Sequence, residues 1–128
     1  MIVVGFIATA EGRAALEAAV EEAGRRSDSV TVLVHGPRGA EQEDVDTAAA
    51  EARQLLSGRD ISSDVQTVPL GGDVAEALME AAESLDAALI VIGLRRRSPL
   101  GKLILGSNAQ RILLDAPCPV LAVKPELN

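Results

Sequence analysis

Residues 87–92 read Ala-Ala-Leu-Ile-Val-Ile, an apolar run that ends at Gly93. It is far shorter than the roughly 20 residues a membrane-spanning helix requires. A strand apolar at every position must be covered on both faces, as happens to a parallel strand with helices above and below it. The first segment, Ile2–Ala8 (Ile-Val-Val-Gly-Phe-Ile-Ala), has the same character. Both are therefore expected at the centre of a parallel sheet.

Immediately upstream of the run, Val74, Leu78, Ala81, Ala82 and Leu85 recur at helical spacing after Gly71-Gly72-Asp73, with Asp73 placed to cap the helix. Between the two apolar strands, Glu11–Arg26 carries Ala15, Leu16, Ala19, Val20 and Ala23 on one helical face. Ser29–His35 reads as a second strand. The loop Gly36–Gly39 follows, and then a helix lined by Val45, Ala48, Ala49, Ala52, Leu55 and Leu56 that ends near Gly58. Asp64–Pro69 alternates poorly and ends in proline, which is tolerated at a sheet edge but not inside a sheet. Downstream lie a loop over Gly93–Leu105, a helix from Ser107 to Leu114 and a last strand from Pro119 to Lys124.

Strand and helix alternate throughout, which with right-handed crossovers predicts an α/β fold: a five-stranded parallel sheet of order 3-2-1-4-5 with four helices, built as one domain over residues 1–128. In that order the chain reverses direction between strands 1 and 4, and open α/β sheets bind ligands outside the strand carboxyl ends at such a point. The expected crevice lies between Ile7-Ala8-Thr9 and the segment from Gly93 onward.

Composition narrows the function. The chain has 128 residues, 48% hydrophobic and 24% charged, which fits one globular domain and excludes a disordered chain. Phe6 is the single aromatic residue, so stacking platforms for single-stranded nucleic acid are absent. The net charge is −7, yet five of the 12 basic residues (Arg95, Arg96, Arg97, Lys102, Arg111) fall between Ala87 and Leu114, a stretch without Asp or Glu. A local basic segment on an acidic chain argues against broad DNA binding and for capture of a small anion. The amino-terminal residues lack a basic flank and a small-residue cleavage site, so no secretory signal is expected. One cysteine, Cys118, forms no internal disulfide, which suits a cytoplasmic protein.

Familiar catalytic arrangements are missing. One histidine, His35, and one cysteine exclude a structural zinc site. Thr9 and Ser107 have no His–acid pair, so a serine-type triad is not expected. Cys118, between Pro117 and Pro119 with no basic neighbour, reads as a buried structural thiol. Gly101-Lys102 is followed by Leu103 and preceded, five residues back, by Arg96, so it is not a P-loop. No Gly-x-Gly-x-x-Gly follows the first strand.

The run from Gly93 through Arg95-Arg96-Arg97, Gly101-Lys102, Gly106-Ser107-Asn108 and Arg111, continuing to Ala116-Pro-Cys-Pro-Val-Leu-Ala-Val-Lys124, resembles the universal stress protein family. The resemblance implies an adenine nucleotide alpha hydrolase-like three-layer sandwich. ATP-binding members carry Gly-x-x-Gly, nine residues and Gly-Ser or Gly-Thr around the phosphates; Gly93, Gly106 and Ser107 fall on that pattern, while Arg96 replaces its second glycine. The family commonly has Asp at the end of the first strand, where nucleotide-binding members contact the nucleoside sugar; here Ile7 stands there, followed by Ala8 and Thr9. The family also reads adenine through backbone at the end of the second strand, a role that would fall to Val34 or His35.

Two functional classes follow. One is a cytoplasmic regulatory module that binds ATP or another adenine nucleotide, with Mg²⁺ entering only alongside ATP and any hydrolysis slow and incidental. Its contacts would be Ile7, Ala8, Thr9, Val34, His35, Gly93, Arg95, Arg96, Gly106, Ser107 and Asn108. The other is a nucleotide-free homodimeric interaction protein of the stress response, in which the arginines meet an acidic protein partner or another subunit. The resemblance implies a homodimer through the last strand, where Val120–Val123 leaves an apolar edge. Neither class involves nucleic acid, a membrane or a dedicated enzymatic reaction.

Overall fold

The computed structural model describes residues 1–97 and 102–125. The chain runs β1 (Ile2–Phe6), α1 (Ala10–Arg26), β2 (Val30–Val34), α2 (Gln42–Leu56), β3 (Ser63–Thr67), α3 (Val74–Ser84), β4 (Leu89–Gly93), β5 (Arg95–Arg97), β6 (Lys102–Ile104), α4 (Ser107–Asp115) and β7 (Val120–Val123). Five of these strands form a parallel sheet in the order β3-β2-β1-β4-β7. This is the expected 3-2-1-4-5 arrangement, with β7 as its fifth strand.

Alternation along each central strand sorts side chains between two helical layers. Ile2, Val4 and Phe6 of β1, Val30, Val32 and Val34 of β2, and Leu89 and Val91 of β4 meet the apolar stripes of α1 and α2. Val3, Leu33, Ile90 and Ile92 point the other way, onto α3 and α4. Gly5 also faces α3, and the absence of a side chain there lets Leu78 lie on the sheet: a Cβ at Gly5 would stand 3.1 Å from Leu78 Cδ1. β3 occupies the outer edge beside β2, where its Ser, Asp, Gln and Thr side chains stay in water.

Several boundaries differ from those expected. β1 stops at Phe6, two residues early, because the chain turns at Ile7–Thr9 to enter α1. The Ile7 carbonyl accepts the Thr9 N–H at 2.7 Å, and Thr9 Oγ1 accepts the Gly12 N–H at 3.3 Å, capping the helix. Asp73 caps α3 as expected, its carboxylate accepting the Glu76 N–H at 3.1 Å. The segment expected as one loop from Gly93 to Leu105 instead contains the antiparallel pair β5–β6, with Arg96 opposite Leu103. The sequences Arg-Arg-Arg and Lys-Leu-Ile of this pair show no apolar alternation, so periodicity carries no sign of it.

Phe6 is fully buried and is the largest of the enclosed side chains. Phe6→Ala is expected to cost about 3–5 kcal/mol through lost transfer energy and a residual cavity. Urea unfolding followed by far-ultraviolet circular dichroism measures this, since the chain has no Trp or Tyr to report by fluorescence.

Candidate functional site

A cleft of about 960 Å³ opens at the carboxyl ends of the parallel strands. β1 and β4 diverge there in connection, β1 leading away toward β2 and β4 toward β7. The floor is made by the first turn of α1 pressed against the ends of these two strands. A Cβ on Gly12 would stand 1.8 Å from the Ile7 carbonyl oxygen, and one on Gly93 would stand 2.2 Å from the Glu11 carbonyl oxygen. Real Cβ contacts never come so close, so both positions require glycine. Gly93 thus has a packing reason to be glycine that is independent of any ligand.

One wall is the amino-terminal end of α4. Gly106 occupies its N-cap with no side chain to satisfy the first-turn N–H groups, and Ser107 and Asn108 follow in the lining. The Arg95 guanidinium lies beside it, Nη2 standing 3.9 Å from where a Gly106 Cβ would be. Helix dipole and guanidinium therefore raise the potential on the same wall, which suits an anionic group. Gln110 Nε2 donates to the Leu105 carbonyl at 2.8 Å and ties the approach segment to the helix.

The opposite wall comes from the loops after β2 and β3, including Arg38 and the Gly71-Gly72-Asp73 turn. Arg111 reaches across from α4 and donates to both Asp73 carboxylate oxygens, at 3.0 and 2.8 Å. This contact holds the Asp73 carboxyl below its ordinary range, helped by the Glu76 N–H, and raises Arg111 in turn. Arg111 is thereby partly neutralised, although the sequence counts it in the basic segment.

Of the expected contacts, Ile7, His35, Gly93, Arg95, Gly106, Ser107 and Asn108 line the cleft together. Ala8 and Thr9 stand outside its lining, and the Thr9 hydroxyl is engaged in capping α1. Val34 is fully buried and its carbonyl accepts the Val68 N–H at 2.8 Å, which continues the sheet pairing. The Arg96 backbone belongs to β5, and its side chain lies outside the described residues. Sequence reading missed Glu11, Arg38 and the loop after β3. The clustered glycines at 36, 39, 71 and 72, each just past a strand end, were the available signal.

His35 follows β2, and its N–H donates to the Phe6 carbonyl at 2.9 Å. Burial lowers its imidazole pKa below the ordinary 6.5, opposed by a backbone hydrogen bond with Gly36. Cys118 is half-buried against the α3–α4 core rather than fully enclosed, and desolvation raises its thiol. Among the described residues no group of three His, Cys, Asp or Glu side chains could hold a metal ion. Among the same residues no helix is long and apolar enough to cross a membrane.

Layering, strand order and cleft together define a doubly wound α/β protein whose ligand-sized opening sits at the switch point of its sheet. The chain belongs to the universal stress protein family: the family model of that description matches residues 1–124. A universal stress protein of Mycolicibacterium smegmatis is 44% identical over 98% of this chain and 98% of its own. Among solved structures, a universal stress protein from Archaeoglobus fulgidus superposes with a TM-score of 0.80 at 29% identity, covering 96% of this chain and 97% of that one. The structure of the universal stress protein from the same organism in complex with dAMP gives a TM-score of 0.76 at 25% identity over 96% of each chain.

The half-buried imidazole gives a pH dependence with a defined sign. With its folded pKa below 6.5, His35 adds nothing to stability at higher pH; as pH falls through about 6.5 the unfolded chain takes up the proton first and stability declines. Urea midpoints at about pH 7.5 and 5.5 are expected to fall for the native chain and to change less for His35→Gln, above the range where carboxylates titrate. The single histidine resonance in a proton NMR titration should show a midpoint below 6.5.

Proposed function

We propose that this universal stress protein is a cytoplasmic regulatory module that binds an adenine nucleotide in the cleft between β1 and β4. The observation that carries the reading is the pairing of the Arg95 guanidinium with the open N-terminus of α4 on one wall of an approximately 960 Å³ cleft. The dAMP complex of the Archaeoglobus fulgidus relative, at 25% identity, supports the choice of an adenine nucleotide. Ser107 and Asn108 N–H groups and Arg95 would bind the phosphates, Gly93 and Gly106 would allow their close approach, and His35 would border the base. Ile7 would make apolar contact with the nucleoside. Arg96, from its position in β5, would add charge to the phosphate side. Mg²⁺ would enter on the phosphates of ATP rather than on a protein cluster, and the module would act by binding rather than by turnover.

Isothermal titration of nucleotide-free protein with ATP and Mg²⁺, AMP and cyclic AMP tests this. Arg95→Glu and Gly106→Asp are each expected to weaken the best ligand about tenfold or more, because each places a carboxylate where the phosphates would lie. Unchanged affinity in both variants, or no binding by any of the three nucleotides, overturns the proposal.

The second part of the reading is a homodimer through β7. This strand pairs in the sheet with β4 on one side, and Leu121 remains 36% exposed on it. An apolar edge strand of this kind presents unpaired backbone groups that a second copy would satisfy. Sedimentation at micromolar concentration is expected to give twice the 13.3 kDa chain mass, and Leu121→Lys to shift it toward the monomer. A monomeric native protein would remove the dimer and leave the nucleotide reading in place.

A further inference from the structure

We infer that Glu11 is the sugar-recognising residue of this cleft and makes it select a ribose over a deoxyribose. The inference rests on the nucleotide-binding reading above and adds to it a residue that the chain's motifs do not indicate.

Glu11 lies in the first turn of α1 and lines the cleft together with its neighbours Ile7, Gly12 and Gly93. Its position is set by backbone packing. The Glu11 carbonyl and Cβ rest on Gly93, the latter 3.1 Å from where a Gly93 Cβ would stand, so the side chain begins at the floor, at the junction of β1 and β4. Asp73, the other carboxylate of the lining, is committed to Arg111 and to the cap of α3. Glu11 has no ion pair or side-chain hydrogen bond among the described residues. A ligand that enters with vicinal hydroxyls therefore meets one carboxylate able to accept both hydrogen bonds, while the Ile7 side chain beside it can accept none. A phosphate is turned away from the same point by like charge, which orients the ligand with its sugar over the floor and its anionic end toward Arg95 and α4.

The acidic residue also favours the α1 dipole, and that role alone predicts a loss of helix stability with no effect on sugar preference. The test accordingly reads a ratio. AMP, 2′-deoxy-AMP and 3′-deoxy-AMP are titrated into the native protein, Glu11→Gln and Glu11→Ala by calorimetry. The native protein is expected to bind AMP about 10- to 100-fold more tightly than at least one deoxy analogue, the range for a hydrogen bond to a charged acceptor. Glu11→Ala should bring the ratio near one by weakening AMP while leaving the deoxy analogues as tight or tighter. Glu11→Gln, which keeps the size of the side chain, should reduce the ratio without unfolding the turn. A native protein indifferent to both hydroxyls, or variants that weaken all three ligands equally, overturns the role of Glu11 while leaving nucleotide binding intact. Failure of every nucleotide to bind removes both readings.

Discussion

The helix–sheet contact at the start of α1 sets the geometry on which the rest of this protein depends. Backbone meets backbone there without intervening side chains, at Gly12 against Ile7 and at Glu11 against Gly93. Two glycines far apart in sequence serve one contact. It brings the first turn of α1 over the ends of β1 and β4, closes the floor of the cleft and forces the chain to leave β1 at Phe6. The tight turn through Ile7–Thr9 and the Thr9 cap follow from the same requirement. A glycine that the family resemblance would assign to phosphate binding is therefore a packing glycine in its own right, and the cleft lies directly beside the helix start.

Charge is distributed so that an acidic chain presents a locally positive wall. The net charge is −7, but the cleft brings together the N-terminal end of α4 and the Arg95 guanidinium. Arg111 contributes less than its formal charge because its Nη1 donates to both carboxylate oxygens of Asp73. That pair instead joins the start of α3 to the middle of α4 and holds two walls in register. The Asp73 carboxylate thus serves as helix cap and as cross-brace at once.

Much of this was legible in the chain. Continuous apolar runs at 2–8 and 87–92 identified the central strands, and the poor alternation with proline at 64–69 identified the edge. These signals survive because burial on two faces, or on none, leaves a composition that a single strand cannot disguise. Site residues were read less evenly. Gly93, Arg95, Gly106 and Ser107 share the cleft, from the end of β4, the start of β5 and the N-terminal end of α4. Val34 and Thr9, adjacent in sequence to lining residues, were drawn into sheet pairing and helix capping, which compete for the same backbone and hydroxyl groups. The antiparallel pair of β5 and β6 left no trace in periodicity, since its pairing is between main chains and one of its strands is three arginines.

Local pattern by itself determined the alternation of strands and helices, the central and edge positions and the capping of α3. These depend on hydrophobic period and on residues within a few positions of each other. Tertiary structure alone decided that Glu11 stands in the floor, that Arg111 is paired with Asp73 and that Gly93 is held by Glu11. Each of those facts is a contact between segments tens of residues apart, and the register of such contacts is set by how helices seat on the sheet, a property no single segment carries.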